Sequence, residues 1–178
     1  MKNTITSLAL AASLFAGVAL ATTAEETTTP AAPTAPAAEE TALPVLPAYF
    51  KNIQFLTGAP SMEADYYIYL FSASWCGPCR AIMPSFVDQY PEMKANKVEI
   101  IFISVDDSPE EAKAYIEHYN AGFPGLYVRT KEVRNLPSLI IPRGIPTATI
   151  LDANGKVLFN GHAAKALNWK ELCKPAAK

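Results

Sequence analysis

The stretch FSASWCGPCRAIMPSF, residues 71–86, sets two of the chain's three cysteines three positions apart, and its reading decides the fold. Just before it, Tyr66-Tyr67-Ile68-Tyr69-Leu70-Phe71 is a short aromatic and β-branched run, which predicts a buried strand ending at Ser72-Ala73-Ser74. From Cys79 onward Ile82, Met83, Phe86, Val87 and Tyr90 recur at helical spacing. This predicts a helix with both cysteines at its start and Pro84 as a kink within it. The pair is therefore expected where a strand ends and a helix begins.

That placement bears on chemistry. A thiol attacks only as thiolate, and an ordinary cysteine with pKa ~8.5 is mostly protonated at neutral pH. The positive end of a helix dipole contributes ~0.3 to 2 kcal/mol and one pKa unit is ~1.4 kcal/mol, so the dipole lowers the Cys76 pKa by about one unit. Hydrogen bonds from Cys79 and local N–H groups are expected to supply the rest. Cys76, expected exposed at the helix tip, is the candidate nucleophile, and Cys79, one turn inside, the resolving thiol. Gly77 and Pro78 suit a tight turn into the helix. Trp75 either covers the loop as a flat apolar contact for a partner or packs in the core, and both readings stand at this point.

Two plainer readings of the pair are weaker. A structural disulfide closing so small a loop removes little unfolded-state entropy. A zinc site needs well-matched ligand pairs, which His118, His162 and Cys173 do not make. No cofactor and no metal is expected. His118 reads as solvated on the polar side of a helix, and His162, just after Gly161, as a surface residue in reach of the redox site. Arg80 and Arg143 are expected to flank the active-site surface. Cys173 is unpaired in sequence; its helical pattern favours a partly buried, inert thiol, with dimerisation through it as the alternative.

Outward from the motif, Val98 to Val105 reads as a second buried strand. Ser108-Pro109-Glu110-Glu111 is a helix start with Ser as N-cap and Pro first, and the helix continues to about Tyr119. In residues 120–142 the pattern supports a short strand at Leu126 to Val128 and a helical turn over Lys131 to Leu136. Thr147 to Leu151 and Lys156 to Phe159 flank Asp152-Ala153-Asn154-Gly155 and predict a hairpin. A last helix, about Ala163 to Lys174, would turn Leu167 and Leu172 to the core. This order predicts an α/β fold, a mixed central sheet with helices on both faces and the cysteines at a strand's carboxyl end.

The N-terminus reads as an export signal over residues 1–24: Lys2, an apolar centre rich in Ala and Leu, then small-residue cleavage sites at Ala21 and Ala24. Membrane attachment is expected only if this segment stays uncleaved. Residues 25–47, rich in Pro, Ala, Thr and Glu, read as a disordered tether. The domain is expected over residues 48–178. Half of the residues are apolar, enough for one core, and 15 basic against 17 acidic residues give no reason to expect nucleic acid as a partner.

The sequence WCGPC, residues 75–79, resembles the active site of the thioredoxin superfamily. Pro84 stands where that family kinks its active-site helix, Arg143-Gly144-Ile145-Pro146-Thr147 is similar to its cis-proline segment, and Gly161 follows the hairpin as in the family. FSASWCGPCR and SVDDSPEEAKAYIEHY resemble the tryparedoxin, nucleoredoxin and TlpA-like branch. The resemblance implies a thioredoxin-like fold in which Pro146 is cis beside the Cys76 sulfur and Ile145, Pro146 and Thr147 line a groove for extended substrate. It implies a thiol-disulfide oxidoreductase; joined to the export signal read at the N-terminus, this makes the expected protein soluble and periplasmic or otherwise exported, reducing cysteine-containing envelope proteins, with a membrane electron donor that the resemblance implies. A disulfide oxidant or isomerase, or a binding module with a structural disulfide, are the alternatives. The chain departs from the pattern at Leu70 and Ile82, where the family carries a carboxylate that takes the Cys79 proton. Water is expected to take that proton here.

Overall fold

The computed structural model describes residues 49–134 and 142–174. The expected export signal at 1–24, the expected tether at 25–47 and residues 135–141 of the poorly patterned segment lie outside the described residues.

Strand β1 (Tyr66–Ser72) is the centre of a five-stranded sheet ordered β3-β2-β1-β4-β5. It pairs in parallel with β2 (Val98–Ser104), from Tyr66 opposite Val98 to Ser72 opposite Ser104, and β2 pairs in parallel with the short β3 (Gly125–Tyr127). On its other side β1 runs antiparallel to β4 (Thr147–Asp152), which forms the expected hairpin with β5 (Val157–His162). Because β1 and β2 are covered on both faces, they read as unbroken apolar runs rather than alternating ones.

The strand period of two divides those runs between two cores. Ile68, Leu70, Ile100 and Phe102 face helix α1 (Gly77–Ala95), whose Met83, Phe86, Tyr90 and Met93 are buried against them. The same face takes helix α2 (Pro109–His118) through Tyr115 and Ile116. Tyr67, Tyr69, Phe71, Ile101 and Ile103 point the other way, onto Phe50 and onto Val133 of the single-turn helix α3 (Lys131–Arg134). Helices thus lie on both faces, although α3 is the smaller cover. The expected helical turn to Leu136 is described only as far as Arg134.

Helix α1 passes through both Pro84 and Pro91 without ending. Helix α2 starts as its sequence requires, with Ser108 Oγ accepting from Glu111 N at 3.2 Å. The carboxylate of Glu111, however, accepts from Asp107 N rather than closing a reciprocal box on the cap.

The expected single C-terminal helix is corrected. It is two short helices, α4 (Ala163–Ala166) and α5 (Trp169–Leu172), broken at Leu167 and Asn168. Ala163, Ala166, Trp169 and Cys173 face the core, while Leu167 and Leu172 are half-buried at its rim. The restart turns the Trp169 indole inward, where Nε1 donates to Gln89 Oε1 at 3.0 Å.

The segment before β1 is structural. Phe50 packs tilted against Tyr67 and Tyr69 with ring centroids 5.4 and 6.3 Å away. Leu56 N donates to Gly125 O at 2.8 Å and Gly125 N to Thr57 O at 2.9 Å, so this segment pairs with the outer edge of β3. Farther along, the buried Glu99 accepts from Ser61 N at 2.7 Å and from the Tyr90 hydroxyl. Burial and that Glu99 bond push the Tyr90 phenol upward.

Candidate active site

Cys76 is the N-cap of α1. Its Sγ accepts from Cys79 N at 3.2 Å, and its own N–H closes the preceding turn onto Ala73 O. The two cysteines are joined as a disulfide with their Cα atoms 5.2 Å apart. Cys76 is 7 % exposed and Cys79 1 %, so the expected ranking holds, but the expectation of an exposed Cys76 is corrected. In the disulfide, Cys76 packs among Ala73, Val105 and Ile145. Gly77 and Pro78 are exposed at the first turn.

Trp75 is 58 % exposed, which removes the core reading. With Phe71, Val105, Val128, Arg143 and Ile145 it lines a cleft of about 240 Å³ beside the pair. The Ile145–Pro146 peptide is cis. Pro146 is buried, and its carbonyl accepts from Ala163 N at 3.2 Å, which ties the loop to the start of α4. Thr147 Oγ1 donates to Gly144 O at 2.7 Å. Ile145, Pro146 and Thr147 open onto a second cleft, which Asn160 and His162 also line.

The remaining candidates fall outside the redox pair. His162 is exposed and its Nδ1 accepts from Ala164 N at 3.3 Å, so it caps α4. His118 is exposed at the end of α2, edge-on to the Tyr119 ring. Arg80 donates from Nη1 to Ser74 O at 3.0 Å, and Arg143 is exposed on the cis-proline loop. Cys173 is a buried free thiol whose pKa burial pushes up to about 11, which fits an inert residue. Among the described residues, no group of three His, Cys, Asp or Glu side chains is placed to hold a metal ion.

Leu70 and Ile82 are apolar, as expected, so neither of those positions supplies a carboxyl group. The sequence reading missed a different one. Asp106, 1 % exposed, follows β2 and reaches across to the loop before Cys76. Its Oδ1 accepts from Ser74 N at 2.8 Å and from Ser74 Oγ at 2.7 Å, and its Oδ2 accepts from Ser104 Oγ at 2.7 Å. The available signal was an Asp directly after an apolar strand parallel to the one that carries the motif. It was masked by the N-cap run that follows it.

A family model described as thioredoxin-like matches residues 64–157. The chain is 36 % identical over 113 residues to nucleoredoxin of Bos taurus, an alignment covering 61 % of this chain and 25 % of that protein. It is 33 % identical over 87 residues to the thiol-disulfide oxidoreductase ResA of Oceanobacillus iheyensis, covering 49 % of this chain and 44 % of the relative. The chain thus spans a quarter to under half the length of these relatives. Among solved structures, tryparedoxin II from C. fasciculata superposes with a TM-score of 0.55 at 28 % identity, covering 72 % of this chain and 94 % of that one. No helix among the described residues is long and apolar enough to cross a membrane.

Proposed function

The chain belongs to the thioredoxin-like family, and from that premise we propose that it is an enzyme, a thiol-disulfide oxidoreductase that reduces disulfides in exported proteins. The observation that carries this reading is the Cys76–Cys79 disulfide at the mouth of α1, with the Cys76 sulfur accepting a backbone hydrogen bond. A sulfur so placed is stabilised as thiolate once the bond is opened.

In the reducing direction the Cys76 thiolate attacks one sulfur of a substrate disulfide. The substrate S–S bond breaks, a Cys76 mixed disulfide forms, and one substrate thiolate leaves and takes a proton. Cys79 then gives its proton to water and attacks the Cys76 sulfur. The mixed disulfide breaks, the second substrate thiol is released, and the oxidised pair forms with two electrons passed to substrate. Gly77 and Pro78 shape the turn, Trp75 presents an apolar face, and the loop of Ile145, Pro146 and Thr147 receives an extended segment of substrate.

The N-terminal reading supports export. Residues 1–24 serve as signal peptide, residues 25–47 as tether and residues 48–178 as the redox domain, with cysteine-containing envelope proteins as substrates and a membrane electron donor restoring the dithiol. The deciding experiment is equilibration of the Cys76 and Cys79 couple in glutathione buffers, read by Trp75 fluorescence. A strongly reducing potential supports the reductase; an oxidising one overturns that direction. N-terminal sequencing of secreted material tests cleavage after Ala21 or Ala24.

A further inference from the structure

Burying a carboxyl group away from water is costly unless its oxygens are hydrogen-bonded, and Asp106 is almost fully enclosed. Its carboxylate bonds go to two serines, and two of the three are made to Ser74. Ser74 is held at every polar atom: Asp106 takes its N–H and its hydroxyl, and Arg80 donates to its carbonyl. Ser104 fixes the other side of the carboxylate and also accepts from Asp106 N at 3.0 Å. Ser74 lies two residues before Cys76, inside the turn closed by Cys76 N on Ala73 O.

We propose that Asp106 is a positioning residue for the redox turn: by clamping Ser74 it holds Cys76 where its sulfur accepts from Cys79 N. The inference gives the proposed oxidoreductase a residue that acts on its chemistry without touching substrate. Leu70 and Ile82 give the site no carboxyl group, and Asp106 supplies one that acts through the loop rather than by taking a proton.

Two accounts of Asp106 differ in their predictions. If its charge acted on the sulfur directly, removing the charge would make Cys76 more reactive. If it positions the turn, keeping an oxygen acceptor without the charge preserves reactivity, and removing the acceptor lowers it. Hydrogen bonds that involve an ionised group contribute ~1.5 to 3 kcal/mol, so losing the alignment of one at Cys76 corresponds to about tenfold or more in rate.

The test measures alkylation of Cys76 by iodoacetamide in the reduced full chain at pH 7, alongside the equilibrium constant with glutathione. Asp106→Ala is expected to slow alkylation and shift that constant by about tenfold, and Ser74→Ala to act in the same direction by about threefold. Asp106→Asn, which retains an oxygen for Ser74, is expected to stay near wild type. Val98→Ala, a core change at the opposite end of β2 from Asp106, should lower urea resistance without moving either quantity. Should Asp106→Ala fail to fold, Ser74→Ala decides, since it removes one bond from a half-exposed side chain. Unchanged alkylation in folded Asp106→Ala or Ser74→Ala overturns the proposal, as does faster alkylation in Asp106→Asn, or a Val98→Ala effect of equal size. Alkylation needs no substrate disulfide, so a wild-type protein that fails to reduce insulin would overturn the functional reading and leave this one standing.

Discussion

The backbone N–H of Cys79 donates to the sulfur of Cys76 across 3.2 Å, so the residue that caps α1 is also the one disulfide-bonded to its first turn. Cap and reactive group are one atom. The dipole and the free N–H groups of the helix therefore act on Cys76 in preference to Cys79.

This asymmetry predicts different outcomes for the two single variants. Cys76→Ser should lower insulin reduction on the order of a hundredfold or more and form no adduct with substrate. Cys79→Ser should still attack and then stall, accumulating mixed disulfides seen on non-reducing gels. Adducts formed equally by both variants would contradict the assignment.

Trp75 projects into solvent beside the cleft formed with Arg143 and Ile145. Trp75→Ala should change unfolding free energy by no more than ~0.5 kcal/mol, as for other exposed side chains. It should raise KM for protein substrates while leaving alkylation of Cys76 by a small reagent unaltered. Denaturant titration and the two kinetic assays separate these effects.

Cys173 is held protonated by burial, which pushes its pKa up to about 11. Below pH 9 both folded and unfolded thiols are protonated, and the stabilisation is fully present. Between pH 9 and 11 the unfolded thiol ionises first, the unfolded state binds fewer protons, and stability falls by about 1 to 3 kcal/mol. Cys173→Ala should remove that part of the slope. In native protein at pH 8, Cys173 should resist a thiol reagent that modifies it fully in urea.

How much of this was legible in the sequence follows from the range of the interactions. The strand before WCGPC, the helix after it and the N-cap at Ser108 are set by neighbours a few residues apart, and they stand where their patterns predict. The cis Ile145–Pro146 peptide agrees with the resemblance of RGIPT. The C-terminal helix was misjudged because periodicity weighed Leu167 and Leu172 by hydrophobicity, whereas close approach to the sheet is made through Ala163 and Ala166 and anchored by Trp169 to Gln89. The roles of Asp106 and Glu99 were not legible for a related reason. Their partners, Ser74 and Ser61, lie 32 and 38 residues away, and no local pattern encodes such a bond.

Glu99 illustrates the cost of such long-range bonds. Glu99→Ala leaves the Tyr90 hydroxyl and Ser61 N without their acceptor and should destabilise the fold by about 2 to 4 kcal/mol. Glu99→Gln keeps an acceptor and should lose less. Urea midpoints check the ranking, and Cys76 alkylation should be unaltered in the folded variants, because Glu99 stands at the opposite end of β2 from the redox turn.

The pairing of Thr57 with Gly125 also bears on where the smallest independent unit ends. The family-matched span, residues 64–157, omits this strap and Phe50 at one end, and Ala163, Ala166 and Trp169 at the other. A polypeptide excised at those bounds would bare the N–H and C=O of Gly125 on β3 and uncover Tyr67 and Tyr69. An unpaired, apolar edge invites another copy to add its own strand. Sequence kinship therefore marks out less than the piece that covers its own edge: in this chain, a residue flanking the shared region, Thr57, pairs with Gly125 of the shared sheet.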